Sequence, residues 1–238
     1  MRRAGAKRAW LWVAVTSLVT VFLVRMSRGG QVARELWGEK FSGILGTDRY
    51  SAYTWYPVRW RQVCWAHLLR DFEAIRGRGG VSEEIGDALL AQAHQLFTWW
   101  HRVREGTLTR STFQSYMSPL RQEVERLLAA GSQCGVATTE GTCREILKRH
   151  KALWTFVQVA GVEPTNNMAE RSIRPGVQWR KGSFGTQSAA GSRFVESMMT
   201  VVATLKQQKR HVLAYLTAAH EAAPSLLPAY KMESQAVA

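Results

Sequence analysis

The sequence predicts an α/β fold that is interrupted by a long helical segment. Short apolar strands alternate with helices over the first third of the chain, a pattern typical of α/β proteins. From Ser82 to Ala130 the apolar spacing becomes helical, and further capped helices follow. We therefore divide the chain into four parts: an N-terminal part of the core at 1–78, a helical insertion at 79–141, a C-terminal part of the core at 142–222 and a tail at 223–238.

The first apolar run, Trp10–Val24, follows a basic N-terminus and allows two interpretations. Its Val, Thr, Trp and Phe residues favour two strands, Ala9–Thr16 and Val19–Arg25, joined by a tight turn. The alternative is a signal peptide or a membrane anchor, but the run has 15 residues and a spanning helix needs roughly 17–25. Hydroxyl groups inside the run and arginines after it also favour the hairpin, so we expect no membrane partner.

The other elements follow from apolar spacing, capping residues and chain breakers. The sequence predicts a helix at Gln31–Trp37, strands at Gly43–Gly46 and Arg61–Cys64, and a helix at Trp65–Ile75. It predicts further helices within Ser82–Ala130 with a kink or restart at Pro119, from a capping box at Thr142–Glu145 to Val159, after Asn167, at Ser188–Gln207 and at Arg210–Ala222. Phe194 and Leu205 belong to the face of the helix at Ser188–Gln207 that is expected to point inward.

The charge composition favours a polyanionic partner. The 238 residues include 32 basic and 18 acidic side chains, a formal net charge of +14. Such an excess suits nucleic acid or an anionic membrane surface. The three cysteines are too few for a disulfide framework, which indicates a reducing cytoplasm. The Cys and His residues also lack the short paired spacings of structural zinc ligands.

Two acidic residues occur where a metal-dependent nuclease would need them. Asp48 follows the predicted strand Gly43–Gly46, and strand ends commonly carry functional groups in α/β proteins. Glu170 lies at the start of a predicted helix, in a segment rich in asparagine and arginine. Two-metal phosphoryl transfer requires carboxylates that converge on Mg²⁺. The structural alternatives are a strand-end turn for Asp48 and a helix-capping pair of Asn167 with Glu170.

Several sequence blocks resemble those of one family, in the same order. They are Trp10–Thr16 (WLWVAVT), Thr47–Tyr53 (TDRYSAY), Cys64–Leu68 (CWAHL), Asn166–Arg174 (NNMAERSIR), Trp179–Ser188 (WRKGSFGTQS) and Gly191–Glu196 (GSRFVE). Over nearly its whole length the chain is similar to the bacterial insertion-sequence-sixty-six transposases. The length and the order of the blocks make this resemblance specific.

The resemblance implies a ribonuclease-H-like core, a mixed sheet flanked by helices, with an Asp-Asp-Glu triad that binds Mg²⁺ or Mn²⁺. It implies metal-dependent DNA strand cleavage and attack of the freed 3′-hydroxyl on target DNA. Asp48 matches the second aspartate and Glu170 the glutamate, so both are expected to be catalytic and metal-binding. The expected DNA contacts are polar and basic residues of the same blocks: Asn166, Asn167, Arg171, Arg174, Arg180 and Lys181. A solvated basic loop is the alternative for Arg180 and Lys181. His67 lies either near the metal site or in the core at a helix start, and we expect the latter.

The chain departs from the family at its start. The first aspartate of the triad belongs to a strand upstream of Trp10, and no acidic residue precedes Glu35. We therefore expect a truncated transposase whose first strand is missing, or one whose start lies further upstream, and no cleavage by the 238-residue chain. A missing strand would also leave backbone groups of the sheet unpaired, which is unfavourable.

The leading interpretation is a cytoplasmic, nucleoid-associated protein of an insertion sequence that binds element ends and target DNA. It would act as a homo-oligomer or in mixed assemblies with full-length transposase. The alternatives are a non-catalytic DNA-binding remnant and a basic protein anchored to the membrane through Ala9–Val24. Salt-dependent DNA binding without Mg²⁺-dependent cleavage would distinguish the remnant from the enzyme.

Overall fold

The computed structural model describes residues 8–38 and 40–222, which form two compact units. The hairpin unit consists of residues up to Arg28 and from Ala169 onward, and the helical unit consists of Gly29–Met168. The predicted boundaries at residues 78 and 141 both fall inside the helical unit. The tail predicted at 223–238 lies outside the described residues, and the four-part division stays a prediction.

Helices predominate, and the strands are short. Along the chain the elements are β1 (Trp10–Val15), β2 (Thr20–Arg25), α1 (Gly30–Trp37), β3 (Leu45–Thr47), β4 (Arg61–Val63), α2 (Trp65–Arg76), α3 (Val81–Arg104), α4 (Arg110–Gly131), α5 (Ala137–Leu147), α6 (Thr155–Gln158), α7 (Asn167–Ser183), α8 (Ala189–Gln207) and α9 (Val212–Ala222). Short 3₁₀ helices lie at Ser51–Tyr53, Val58–Trp60 and His150–Leu153. The predicted α/β class is confirmed at this level.

An antiparallel hairpin begins the hairpin unit. β1 and β2 pair along their whole length. The Thr16 side chain closes the turn, because its Oγ1 accepts hydrogen bonds from the Leu18 and Val19 amides at 3.2 and 3.0 Å. The predicted hairpin is therefore confirmed. Within the described residues, no helix combines the length and the apolar character that a membrane crossing needs.

Helix α8 covers an edge of β2 with side-chain hydrogen bonds. Glu196, Thr200 and Thr204 lie four residues apart, so they share one side of the helix at intervals of about 6 Å. Alternate strand residues are spaced by roughly 6.6 Å, so each side chain meets one amide of β2. The bonds join Thr20 N to Thr204 Oγ1 at 3.2 Å, Phe22 N to Thr200 Oγ1 at 3.0 Å and Val24 N to Glu196 Oε1 at 2.5 Å. These amides are thereby satisfied without a further strand.

A large apolar core stabilises the helical unit. Trp65, Phe113 and Phe156 are completely buried, and α2 to α5 contribute most of the other core residues. The Trp65 ring packs edge-on against Trp154 with the ring centroids 5.1 Å apart, and its Nε1 donates to the Leu153 carbonyl at 2.8 Å. Burying a large apolar side chain contributes about 1.5–3 kcal/mol, so this core accounts for much of the unit's stability.

A short parallel strand pair precedes this core in the sequence. β3 and β4 pair over three residues each, and all residues of β4 are buried, with Val63 joining the core. In the described part of the chain, β1–β2 and β3–β4 are separate two-stranded sheets. β3 begins two residues later than the predicted strand Gly43–Gly46 and ends at Thr47. Asp48 therefore directly follows a strand whose partner is tied to the core.

The predicted capping box at Thr142–Glu145 is wrong. Thr142 lies in the middle of α5, and its hydroxyl donates to the Thr138 carbonyl at 2.9 Å. The helix start is stabilised earlier, because the Glu140 carboxylate accepts a hydrogen bond from the Gly135 amide at 3.0 Å. α5 also ends earlier than predicted, and a 3₁₀ helix and α6 follow it.

Further predictions, for one side chain and two helices, also need correction. Phe194 was expected to point inward from α8 but is 47% exposed, whereas Leu205 is buried as expected. The helix does not restart at Pro119, since Pro119 lies inside α4, and a kink there stays a prediction. The helix that carries Glu170 is longer than predicted, because α7 continues to Ser183.

Candidate catalytic acids and nucleic-acid interface

Asp48 directly follows β3 in the helical unit. Its Oδ1 accepts a hydrogen bond from the Tyr50 amide at 2.9 Å, which forms a tight turn that orients the carboxylate. The preceding residue, Thr47, is buried and donates its hydroxyl to the Asp48 carbonyl at 2.8 Å. These bonds fix both the backbone and the side chain of Asp48. Asp48 therefore forms the strand-end turn that was the purely structural interpretation of this residue. A catalytic carboxylate would need the same fixed orientation.

Arg61 is buried beside Asp48, although the sequence pattern does not mark it as a functional residue. Only 2% of Arg61 is exposed, and its Nη2 donates to the Thr47 hydroxyl at 3.0 Å and the Asp48 carbonyl at 3.3 Å. Its Nε has no hydrogen-bond partner among the described residues. Burial lowers the pKa of the guanidinium, as does the charge of Arg149, whereas the Asp48 carboxylate raises it. The sequence signal that could have pointed to Arg61 is the presence of an arginine at the start of a short predicted strand.

Tyr53 is a third group near Asp48. Burial raises the pKa of its phenol to about 12, the charge of Asp48 adds to this rise, and Arg61 opposes it. The phenol is therefore neutral at physiological pH. Asp48 thus interacts electrostatically with a buried guanidinium and a neutral phenol, while the Tyr50 amide bonds its carboxylate and Arg61 bonds its backbone carbonyl.

Glu170 lies in the first turn of α7, in the hairpin unit. Its side chain is half-buried. A carboxylate in the first turn interacts favourably with the positive end of the helix dipole, which is worth about 0.3–1 kcal/mol at an exposed site. This position agrees with a role in stabilising the helix start, and it also leaves Glu170 on the same helix as the predicted DNA contacts.

Exposed polar residues of α7 form a stripe on the side of the helix that carries Glu170. Positions 167, 170, 171, 174, 178 and 181 recur at intervals of three or four residues, so they lie near one another along the helix. They are occupied by Asn167, Glu170, Arg171, Arg174, Gln178 and Lys181, which we call the α7 stripe. Guanidinium and ammonium groups in such a line suit the phosphates of a nucleic-acid backbone.

Arg180 and Asn166 lie outside the α7 stripe. Arg180 is exposed one residue before Lys181 and so points to another side of the helix; both lie in α7 rather than in a loop. Asn166 precedes α7, and its backbone amide donates to Cys64 Sγ at 3.4 Å. Its Oδ1 is buried without a hydrogen-bond partner in the described part of the chain. The DNA-binding roles of all six predicted contacts stay predictions.

The two predicted acids belong to different units, Asp48 to the helical unit and Glu170 to the hairpin unit. Both have the carboxylate oxygens that Mg²⁺ prefers, so they fit the metal in ligand type. Across residues 8–38 and 40–222, no three His, Cys, Asp or Glu side chains form a group that could hold a metal ion. Metal binding by Asp48 and Glu170 therefore stays a prediction. His67 is half-buried in the first turn of α2, at the helix start expected for it.

Comparison with known proteins establishes the class of protein. A family model with the description "Transposase IS66 family" matches residues 1–193. The chain therefore belongs to the IS66 family of transposases, as its sequence blocks indicate. It is also 29% identical over 240 residues to the uncharacterized protein y4qI of Sinorhizobium fredii (strain NBRC 101917 / NGR234), an alignment covering 88% of this chain and 43% of that relative. The chain thus spans less than half the length of this curated relative. No solved structure matches it.

Proposed function

We propose that the chain is the catalytic region of an insertion-sequence transposase that cleaves DNA strands and joins the freed 3′ end to target DNA, the 3′-hydroxyl attacking a target phosphodiester and displacing its 3′-oxygen. The observation that carries this proposal is the family match over residues 1–193, a range that includes both predicted acids. Asp48 follows a strand and Glu170 opens a helix, which supports the assignment of one strand-borne and one helix-borne catalytic carboxylate. The proposed fold is a ribonuclease-H-like core, as the family resemblance implies; within the described residues the strands form two separate two-stranded sheets, one antiparallel and one parallel.

Each residue has a distinct role in this proposal. Asp48 and Glu170 are each proposed as ligands of Mg²⁺ or Mn²⁺, and the chemistry that such a metal would supply is activation of the attacking hydroxyl and stabilisation of the leaving oxygen. The Tyr50 amide and Arg61 keep Asp48 in position through the hydrogen bonds described above. The basic residues of the α7 stripe bind backbone phosphates and thereby orient the strand that is cleaved.

The partners in this proposal are the DNA ends of the element and the target DNA. The net charge of +14 supports binding to a polyanion, and the salt dependence of such binding follows from counterion release. We propose that the protein acts on DNA in the bacterial cytoplasm, as a homo-oligomer or together with full-length transposase.

The test is an excision assay in bacterial cells, with the gene expressed from its own upstream DNA beside a marked element. Asp48→Asn and Glu170→Gln should each reduce excision by at least about 100-fold, because loss of a metal ligand removes several kcal/mol of transition-state stabilisation. Glu221→Gln is the matched control, since Glu221 is an exposed acid on α9. Wild-type excision by either the Asp48 or the Glu170 variant would contradict the catalytic assignment of that acid.

A non-catalytic DNA-binding protein is the second candidate, and the α7 stripe favours it. Purified protein would be titrated with labelled duplex DNA at several salt concentrations, with and without Mg²⁺. This candidate would be supported if binding weakens steeply with salt, the purified protein does not cleave the duplex, and no excision occurs in cells. Replacing Arg171 and Arg174 by Gln should reduce the slope of log K against log salt by about 2 in either case, since each phosphate contact contributes roughly 1. Absence of DNA binding would contradict both candidates.

A further inference from the structure

Phe184 is the most exposed large hydrophobic side chain in the described part of the chain, with 83% of its surface accessible to solvent. It lies in the connection between α7 and α8, after the Arg180-Lys181-Gly182-Ser183 end of α7. Leaving a phenyl ring in water forgoes the stabilisation that burial would provide. A single exposed ring is common on protein surfaces, so a binding role for this ring depends on how it is held and what surrounds it.

The backbone at Phe184 is left-handed. Its φ is 60°, and the following Gly185 has φ 85°. A bulky L-residue rarely adopts this conformation, and a glycine would adopt it readily. Phe184 therefore combines an unfavourable backbone with an exposed ring, and neither feature helps the unit to fold. Such combinations occur where a residue is needed for contact with a ligand.

The turn that carries Phe184 is anchored on its C-terminal side. The hydroxyls of Thr186 and Ser192 are hydrogen-bonded at 2.8 Å, and both residues are buried. Ser188 caps α8, because its Oγ accepts the Gly191 amide at 3.0 Å. The ring consequently projects from a turn whose backbone is fixed two residues later.

Cations flank this turn on both sides in the sequence. Arg180 and Lys181 end α7, and Arg193 lies near the start of α8. All three side chains are exposed, and none forms an ion pair with another described residue. Their charge is therefore available for an anionic partner. A projecting aromatic ring between cations is the arrangement that single-stranded nucleic acids bind, with bases on the ring and phosphates on the cations.

We propose that Phe184 stacks on an unpaired DNA base while Lys181 and Arg193 hold the adjoining phosphates. This inference rests on the proposed DNA-binding function and specifies the form of DNA that the hairpin unit binds. Inside a paired duplex both faces of each base are covered by its neighbours, so the ring can stack only where a base has left the helix or at a strand end. Strand cleavage at an element end produces a new strand end, so DNA with an accessible base face is available to the transposase.

The test compares two fluorescein-labelled duplexes of the same sequence, one fully paired and one with a single extrahelical adenine. Wild-type protein should bind the second duplex more tightly. Phe184→Gly should lose this preference, weakening binding to the extrahelical-base duplex by about 5- to 100-fold with the paired duplex unchanged. Phe184→Trp should retain the preference because it keeps an aromatic face, and Phe184→Leu should lose it although it remains apolar.

The glycine variant also separates loss of contact from loss of folding. Gly accepts the left-handed backbone, so Phe184→Gly should melt at the same temperature as the wild type or higher. Tyr215→Ala is the control, because Tyr215 is another exposed aromatic residue of the hairpin unit, with Arg210 lying 5.5 Å from its ring centroid. It should leave both affinities unchanged. Lys181→Ala should weaken binding of both duplexes and lower the salt slope by about 1.

The outcomes separate the two levels of the proposal. If wild-type protein binds neither duplex, the DNA-binding function fails and the stacking role fails with it. If the wild type binds DNA but Phe184→Gly keeps the preference for the extrahelical adenine, only the stacking role is overturned. If Phe184→Gly weakens the binding of both duplexes equally, the ring contacts the duplex and does not stack on an unpaired base. Unchanged DNA binding with altered self-association in sedimentation would assign Phe184 to a protein contact.

Discussion

The helical unit and the hairpin unit are stabilised in different ways. The helical unit surrounds a core in which side chains such as Leu89 and Phe113 are completely buried. In the hairpin unit, α7 buries only Gly176 and α9 buries none of its described residues. There, a smaller set of apolar residues such as Phe22 and Val24 is buried, and α8 side chains also form hydrogen bonds to the edge of β2. The helical unit therefore has a large apolar core, whereas the hairpin unit combines limited apolar packing with polar pairing.

This difference bears on the two predicted acids. Asp48 belongs to the unit with the large core, where the buried side chains of Thr47 and Arg61 fix its backbone. Glu170 belongs to a mostly exposed helix with a line of cations. A fixed carboxylate benefits from a packed surrounding, whereas a surface that binds a polyanion has to remain accessible to solvent. The two units therefore suit the two tasks, and substitutions should affect them differently.

Gly86→Ala should have the largest effect on stability. A Cβ at Gly86 in α3 would lie 2.4 Å from the Arg76 amide nitrogen and 2.6 Å from its Cα, and backbone atoms cannot move aside without separating α2 from α3. We expect the free energy of unfolding to fall by about 3 kcal/mol, at the upper end of overpacking effects. Urea denaturation measures this change. Gly141→Ala is the control: its Cβ meets nothing within 4 Å in α5, so helix propensity should stabilise it by about 0.5–1 kcal/mol. Equal midpoints for both variants would contradict the tight α2–α3 packing.

Thr200→Val should produce the second largest effect. The substitution keeps the shape of the side chain but removes the hydroxyl that accepts the Phe22 amide at 3.0 Å. An unsatisfied amide at a strand edge should cost about 1–2 kcal/mol, measured as a lower melting temperature of the hairpin unit. Hydrogen exchange at Phe22 should accelerate more than at the amides of α3. Thr217→Val on the exposed side of α9 is the control, and an equal effect there would show that the β2 edge is not stabilised by α8.

Gly176→Ala should have a smaller effect than Gly86→Ala, although its added Cβ would also be crowded. At Gly176 the Cβ would lie 2.5 Å from Leu11 Cδ2 and from Met199 Cε, which are the ends of flexible side chains. These can rotate away, so we expect a loss of about 1 kcal/mol or less. Thermal denaturation of both variants provides the comparison. A loss as large as that of Gly86→Ala would show that the hairpin unit is packed as rigidly as the helical unit.

The last effect is absent at neutral pH and appears only at alkaline pH. Burial raises the pKa of the Cys143 thiol in the helical unit from 9.0 to about 11, with Cys134 adding to the rise and Arg78 opposing it. The folded state therefore holds this proton more tightly than the unfolded chain, so the associated stability is complete below pH 9 and is lost as the pH rises to 11. Cys143→Ala should flatten the decline of the unfolding free energy over this interval. Cys134→Ala removes only the smaller of the two raising causes and should flatten the decline less. A slope in Cys143→Ala equal to that of the wild type would contradict the shift.

Local signals predicted several elements correctly. The hairpin follows from its composition and turn. α8 begins one residue after the predicted start at Ser188, which is its N-cap, and ends at Gln207 as predicted. The capping box at Thr142–Glu145 failed because the same residue types also occur inside helices, where Thr can bond to the carbonyl four residues earlier. The position of Asp48 after a strand was also predictable, since a short stretch of sequence contains both the end of the strand pattern and the acidic residue.

Arg61 and Phe184 show why the rest of the site was not predictable. Arg61 is buried because Thr47 and Asp48, fourteen and thirteen residues away, provide acceptors for its guanidinium. Phe184 is exposed because its backbone turns left-handed between two helices, although its apolar side chain suggests burial. In both cases the residue type predicts the wrong degree of burial. The actual burial depends on the local backbone conformation and on partners distant in the sequence.

The sequence by itself determined the family, most of the helices and strands and the two candidate acids, because these depend on residue types and periods within short segments. The tertiary structure decided that α8 supplies the hydrogen bonds at the edge of β2, from residues about 180 positions later in the chain. It also decided that Arg61 is buried and that Phe184 is exposed. Burial and hydrogen bonding between distant segments depend on how the chain packs, and a local pattern contains no record of which distant group will be near.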